Sequence, residues 1–250
     1  RDKWIWSGDA YQSFFVNRYL MADADIDQRT ILALRGNDPM TKHINTIVDY
    51  SLLWLLGVDY HNEGYGDRNF LELVYPKMVS LMGFCNGRRD EHDFLIGKEK
   101  DWVYIDWADM DKDGPLCAEQ MLYAACFRAM AEISEQIDKD GSVYRAEYEK
   151  LTAVIEKFFW DEEKGAYIDS FTSGRRNVTR HANIFAILFS IADETKQEKI
   201  LKNVLENDEI PAITTPYFNF FELDVLCRMG KLTEVLDKIR SYWGGMLDLG

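Results

Sequence analysis

The chain has 250 residues, 47% of them apolar and 29% charged, with a formal net charge of −14 at pH 7. That length and apolar content suffice for one large core or two small ones, and dispersed charges of both signs exclude disorder. The negative field disfavours nucleic acid as a partner, since no basic cluster is longer than Gly87-Arg88-Arg89 or Gly174-Arg175-Arg176.

The first nine residues, Arg1-Asp2-Lys3-Trp4-Ile5-Trp6-Ser7-Gly8-Asp9, set two acids around two tryptophans just before an apolar helix. Carbohydrate chemistry uses this mixture, with carboxylates to move protons or stabilise a cation and indole faces for sugar C–H surfaces. The plainer reading is a helix start, with Ser7 as cap and Asp9 facing the helix dipole. The chain opens inside what reads as a motif, without a signal peptide, so a segment of a longer protein is expected.

Helical periodicity then runs almost throughout. Residues 9–22 set Tyr11, Phe14, Phe15 and Tyr19 on one face, and a helix is expected over 25–35. Residues 41–56 carry Ile44, Ile47, Val48, Ser51, Leu52 and Leu55, with Leu53, Trp54 and Leu56 opposite, so this helix is apolar all round and buried. Residues 67–82 continue the pattern. The stretch Asp93–Ile105 reads as a short hairpin, with Phe94, Leu95 and Ile96 before Gly97 and Trp102 to Ile105 after it. Residues 116–137 form another apolar helix, and 142–160, with charges between Tyr144, Tyr148, Leu151, Ile155 and Phe158, an outer one. Helices at 179–192, 195–206, 215–229 and 231–243 complete the chain, with Asp38-Pro39, Gly114-Pro115, Thr215-Pro216 and Gly230 at ends. No apolar run is long enough to span a membrane.

About ten alternately buried and amphipathic helices fit an all-α architecture, either an α/α toroid or an α-solenoid. The lack of a fixed repeat period disfavours a regular solenoid, and the lack of a linker suggests one domain over 1–250. In a toroid, loops at one end of the inner helices surround the pocket. The loop Trp102-Val-Tyr104-Ile-Asp106-Trp107-Ala-Asp109 is suited to hold sugar hydroxyls and ring faces there. Otherwise its aromatics seal the core and its acids face water.

Asp109-Met-Asp111-Lys-Asp113-Gly114 has the first half of a calcium loop, but Gln120 stands at the twelfth position and Pro115 interrupts it, so an acidic turn is expected. Thr179-Arg180-His181-Ala-Asn183 gathers polar groups in the first turn of an apolar helix, as cap or as pocket residues. Glu222, in an aromatic run from Pro216, is either a buried carboxylate suited to a sugar ligand or proton donor, or a solvated outer-face residue. Cys85, Cys117, Cys126 and Cys227 include no CxxC pair, and the four histidines show no HExxH spacing, so neither a zinc site nor a disulfide framework is expected. No GxSxG or phosphate-binding loop is present.

Taken together these segments resemble the (α/α)6-barrel catalytic domain of bacterial α-L-rhamnosidases, a glycoside hydrolase family 78-like pattern. The N-terminal Arg1-Asp2 followed by Trp6-Ser7-Gly8-Asp9 is similar to that family's acidic motif and W-x-G-D. Tyr104-Ile105-Asp106-Trp107 resembles its Y-G-D-W loop. Asp49 to Leu52, Tyr60 to Asp67, Thr179 to Leu188, Thr214 to Tyr217 and Gly244 to Gly250 resemble further family segments. Many members have a glutamate where Lys3 stands, and lysine cannot act as a carboxylic acid at neutral pH.

The resemblance implies an incomplete (α/α)6 toroid flanked by β-sandwich domains of the same chain. It implies inverting hydrolysis of a terminal rhamnoside, with no cofactor and no metal. Asp2 is the expected proton donor, and a glutamate beyond Gly250 the general base, so the segment alone would lack its base. Asp9 is expected at the reacting centre, and Asp106 on sugar hydroxyls. Trp6, Trp102 and Trp107 would form an apolar wall for the sugar methyl, and Arg180, His181 and Glu222 further contacts. The alternatives are a toroid glycosidase acting on glucosides, or a non-catalytic sugar-binding or scaffold domain, which Lys3 favours.

Overall fold

The computed structural model describes residues 5–98 and 100–249. Among the described residues ten helices follow one another: α1 (Ser7–Leu20), α2 (Ala24–Leu34), α3 (Val48–Tyr65), α4 (Arg68–Asn86), α5 (Cys117–Gln136), α6 (Ser142–Phe159), α7 (Arg180–Leu188), α8 (Glu194–Ile200), α9 (Pro216–Arg228) and α10 (Leu232–Asp248). They pair into five hairpins. The odd-numbered helices pack side by side in chain order, and the even-numbered ones cover them from outside.

Apolar patterning explains this division. In α3 every residue from Val48 to Val58 is buried, and α5 is buried over nearly its whole length, where small residues such as Ala124, Ala125 and Ala129 allow close helix approach. In α6, by contrast, only Leu151, Ile155 and Phe159 are buried, a single stripe against the inner ring.

The two ends of the inner row meet. Tyr11 of α1 stacks on Phe221 of α9 with centroids 6.1 Å apart, Phe15 meets Phe220 edge-on at 5.0 Å, and Gln12 Nε2 donates to the Tyr217 carbonyl at 2.8 Å. In a solenoid each unit touches only its neighbours, so this contact between first and last inner helices settles the architecture as a toroid segment. The helices are as expected along most of the chain, and the core runs from Ala10 to Val235.

Several boundaries differ, for local reasons. Residues Ile44–Thr46 form a single 3-10 turn with left-handed Asn45 and Thr46 (φ +54° and +61°), so α3 begins only at Val48. The helix expected over 195–206 loosens into a π-turn at Leu201–Leu205. The helix expected to end at 243 continues to Asp248 through Gly244 and Gly245. Ser7 is not a cap: Trp6 holds that position, and Ser7 Oγ donates to the Tyr50 carbonyl at 2.7 Å.

The expected hairpin over 93–106 does not form. Leu95 pairs back to Arg89 in one antiparallel bridge, while Trp102 runs parallel beside Ile47. The two arms thus pair elsewhere rather than with each other, the second with a helix start 55 residues away, as when Tyr104 N–H donates to Asp49. The two-stranded ribbon among the described residues is instead β1 (Trp160–Asp161) with β2 (Ala166–Tyr167). Cys85, Cys117 and Cys126 are buried and Cys227 is exposed, all as free thiols. No described helix is long and apolar enough to cross a membrane. On α10, Leu232, Leu236, Ile239 and Met246 form an exposed apolar stripe.

Phe221 is fully buried where α9 meets α1 and α7. Phe221→Ala is expected to cost about 3–5 kcal/mol in urea unfolding, the usual loss for emptying a packed aromatic site. An equivalent loss smaller than about 1 kcal/mol would mean that the ring is not closed at this contact.

Candidate functional site

The first turns of all five inner helices gather at one end of the ring, and the loops before them carry the polar and aromatic residues. The segment 101–107 is fixed there by the start of α3. A helix start leaves backbone N–H groups unpaired, and one of these, Val48 N–H, donates to the Trp102 carbonyl at 2.9 Å. Trp102 N–H in turn donates to the Thr46 carbonyl at 2.9 Å, and Tyr104 N–H to Asp49 Oδ1 at 2.9 Å. Asn45 holds the other arm of the site, accepting from Ser7 N–H at 3.2 Å and donating to the Ile5 carbonyl at 2.9 Å.

Between these arms lies a cleft of about 240 Å³ lined by Trp6, Asp9, Ile47, Tyr50, Trp102, Tyr104 and Trp107. Its aromatic rings brace one another: Trp102 meets Trp107 at 5.3 Å and Tyr104 at 5.0 Å, while Trp6 meets Tyr50 edge-on at 6.2 Å. Asp9 sits in the first turn of α1, its carboxylate open to the cleft and accepting from Tyr50 Oη at 3.3 Å. Gly8 makes this packing possible. A side chain there would strike the Tyr50 ring and come within 2.7 Å of Tyr217 Oη.

The turn that aims Trp107 is strained. Asp106 N–H reaches back to the Tyr104 carbonyl at 2.6 Å around Ile105, a buried β-branched residue held at φ +54°. The chain thereby turns Asp106 inward, 3% exposed, and Trp107 outward, 69% exposed. Asp106 Oδ1 accepts from Trp107 N–H at 2.9 Å and Thr215 Oγ1 at 2.7 Å, and Oδ2 lies 3.0 Å from His181 Nε2. His181 Nδ1 is 3.1 Å from Thr179 Oγ1, which donates to Asp169 at 2.7 Å. Asp106 therefore ties the aromatic loop to α7 and α9, with its oxygens occupied by protein partners.

The remaining candidates separate. Trp6, Asp9, Trp102 and Trp107 converge on the cleft, and Asp106 and His181 stand directly behind Trp107. Arg180 and Glu222 do not reach the cleft. Arg180 Nη1 donates to Glu222 Oε1 at 2.6 Å, and Lys238 of α10 meets the other carboxylate oxygen. Glu222 is 0% exposed, so it is neither a cleft ligand nor a solvated outer-face residue; it is the anion between two cations. Burial lowers the Arg180 pKa, and burial together with the nearby Arg180 charge brings Lys238 down to about 8. Asp2 and Lys3 lie outside the described residues. Asp111, read as part of a half calcium loop, instead accepts from Arg175 Nη2 at 2.5 Å and from Ser173.

Sequence reasoning missed Tyr50, Ile47 and Asn45 as site residues. Tyr50 begins an apolar run and reads as core, and Asn45 falls inside a helical pattern that breaks there. The left-handed Asn45 is the one local signal, since asparagine tolerates that conformation.

Residues 5–211 match the family described as the bacterial alpha-L-rhamnosidase 6 hairpin glycosidase domain. The chain belongs to this family. Among solved structures, it is similar to a rhamnosidase from Klebsiella oxytoca with rhamnose bound, at 22% identity and a TM-score of 0.85, covering 100% of this chain and 51% of that one. It is also similar to a GH78 family rhamnosidase of Bacillus sp. GL1, at 22% identity and a TM-score of 0.87, covering 98% of this chain and 27% of that one. This rhamnosidase-family domain thus spans about half or less of either solved chain. No curated protein matches it.

Two outcomes test the geometry of this rhamnosidase-family site. Gly8→Val must displace Tyr50 and Tyr217, so a loss of about 1–3 kcal/mol in thermal or urea unfolding is expected. Unchanged stability would show that the rings do not crowd Gly8.

The second concerns Asp49. Burial, partly offset by backbone N–H donors at Tyr104 and Ile105, raises its carboxyl to about 6. Burial also raises Glu119, and the Asp49 charge adds to that shift. The folded state thus holds the Asp49 proton more tightly than the unfolded chain. Its stabilising contribution is full below about pH 4, falls as pH rises to about 6, and then levels off. Wild type should therefore lose about 2–3 kcal/mol relative to Asp49→Asn between pH 4 and pH 7. Parallel stability–pH curves for the two proteins would contradict the assignment.

Proposed function

We propose that this domain carries the reacting centre of an α-L-rhamnosidase that removes a terminal rhamnose with inversion. The observation that carries this reading is the aromatic cleft around Asp9, at the loop end of the ring, in a chain of the rhamnosidase family. Rhamnose is a 6-deoxy sugar, so one side of its ring is a methyl group that needs an apolar wall, where glucose would need a polar partner. Trp6, Trp102 and Trp107 supply apolar surface, and Asp9 is the acidic side chain of the cleft lining. This composition favours the rhamnoside over the glucoside reading.

In this mechanism Asp2 donates a proton to the leaving oxygen as the glycosidic bond breaks. A glutamate outside residues 1–250, which the family resemblance implies as general base, takes a proton from the attacking water on the opposite face. The two carboxyl groups of an inverting pair stand about 6.5–9.5 Å apart, leaving room for that water. Asp9 faces the developing positive charge and a ring hydroxyl. Asp106 is a positioning residue: it fixes Trp107 and His181 and does not itself touch the sugar. Arg180 and Glu222 brace α7 against α9 and α10 instead of binding substrate.

The full-length protein is expected to release rhamnose from an aryl α-L-rhamnoside, with the β anomer appearing first by proton NMR. Asp2→Asn should lower kcat on a natural disaccharide by about 10²–10⁴-fold, and by less on a substrate with a good leaving group, which needs little protonation. If Asp2→Asn hydrolyses the disaccharide as fast as the parent, Asp2 is not the acid. If the parent releases no rhamnose from either substrate, the sugar-binding alternative replaces the enzyme.

A further inference from the structure

No strand pairs with Tyr104 among the described residues, yet both of its backbone groups are held. Its N–H donates to Asp49 Oδ1 at 2.9 Å, and its carbonyl accepts from Lys112 Nζ at 2.7 Å. The same amino group reaches the Val103 carbonyl at 3.2 Å. An anion on one side of this peptide and a cation on the other replace the neighbouring strand.

The segment so held is strained. The Tyr104 carbonyl also accepts from Asp106 N–H at 2.6 Å, closing a three-residue turn around Ile105. Ile105 is buried and β-branched, and its φ of +54° lies where such residues rarely go. A conformation of this kind persists only where its surroundings over-determine it. The turn also decides where the indole goes. Asp106 points inward, and its Oδ1 accepts from Trp107 N–H at 2.9 Å. A relaxed Ile105 would therefore turn Trp107 away from the cleft.

Lys112 is well placed to hold the turn. It is exposed, so its stem fills no part of the core. Among the described residues its amino group hydrogen-bonds only those two carbonyls. It stands beside Asp111, which Asp169, Ser173 and Arg175 tether, so it reaches the turn from a fixed base. It is a cation among three acids, Asp49, Asp106 and Glu119. Burial disfavours the charge on both Asp49 and Lys112, and each charge favours the other.

We infer that Asp49 and Lys112 are positioning residues of the cleft: they grip the Tyr104 peptide from its two sides, hold the turn at Ile105 in its strained form and so keep the Trp107 indole on the cleft wall, whichever sugar the cleft takes.

The test labels the full-length protein with 5-fluorotryptophan and follows Trp107 by fluorine NMR, its resonance identified by its absence from Trp107→Phe. Trp54, buried in the core, is assigned in the same way and serves as the control. Lys112→Met keeps the stem and removes the charge and the donors, and at an exposed position it should leave the fold intact. The Trp107 resonance should then move or split while that of Trp54 stays in place. L-Rhamnose should bind about 10-fold more weakly, the scale of losing part of an apolar wall. Asp49→Asn keeps an oxygen for Tyr104 N–H and removes only the charge, so it should move the Trp107 resonance in the same direction by less. A Trp107 resonance unmoved in either variant overturns the clamp. So does a Trp54 resonance that moves with it in Lys112→Met, since Lys112 would then support the fold as a whole. If the parent itself binds no L-rhamnose, the rhamnosidase reading fails, and the fluorine spectra still decide the clamp.

Discussion

The start of α3 is the constraint on which the site depends. A helix beginning in a buried environment must find acceptors for its first N–H groups, and here the acceptor is the aromatic loop, at the Trp102 carbonyl. The same few residues return the favour: Thr46 accepts from Trp102, Asp49 from Tyr104, Asn45 from Ser7, and the Tyr50 carbonyl from Ser7 Oγ. Both walls of the cleft thus hang from one stretch of backbone. This has a cost, since Asn45 and Thr46 are held in the left-handed region, at about 1–3 kcal/mol each for such strained residues. The fully buried, apolar body of α3 offsets it by fixing the helix in the core.

Two polar assemblies, alike in sequence, play different parts. Arg180 and His181 are neighbours at the start of α7, yet the helix turns them apart. His181 faces Asp106 beneath the aromatic loop, and Arg180 faces Glu222 and Lys238 between α9 and α10. The first assembly positions Trp107. The second buries charge away from the Asp9 cleft, and removing one ion would leave another uncompensated at about 3–5 kcal/mol. Fold and site are therefore joined at the first turn of one helix.

What could be read from the sequence follows how far each interaction reaches along the chain. Helices make their hydrogen bonds within four residues, so apolar periodicity displayed most of them, and the alternation of buried α3 and α5 with striped α6 indicated two layers. The segment 93–106 was read as a hairpin because its residues are β-formers, but residues 94–96 pair back to 88–90 and residues 102–104 find their partners at 46–49, beyond any local pattern. The tryptophans and Asp9 were visible by type and by motif. That Asp106 turns inward was not, because the decision is made by the left-handed Ile105 and by partners on α7 and α9. Glu222 stayed open between a buried carboxylate and a solvated one, because the two cations that hold it come from other helices.

The apolar stripe on α10 affects how these residues behave in a test tube. Leu232, Leu236, Ile239 and Met246 face water, as do Val16, Tyr19 and Leu20 of α1 and Met21 just after it. Surfaces of this kind associate with whatever apolar face they meet. A preparation of this domain by itself will therefore show concentration-dependent light scattering and sensitivity to mild detergent, a colloidal property separate from the integrity of the ring and from the chemistry of the cleft.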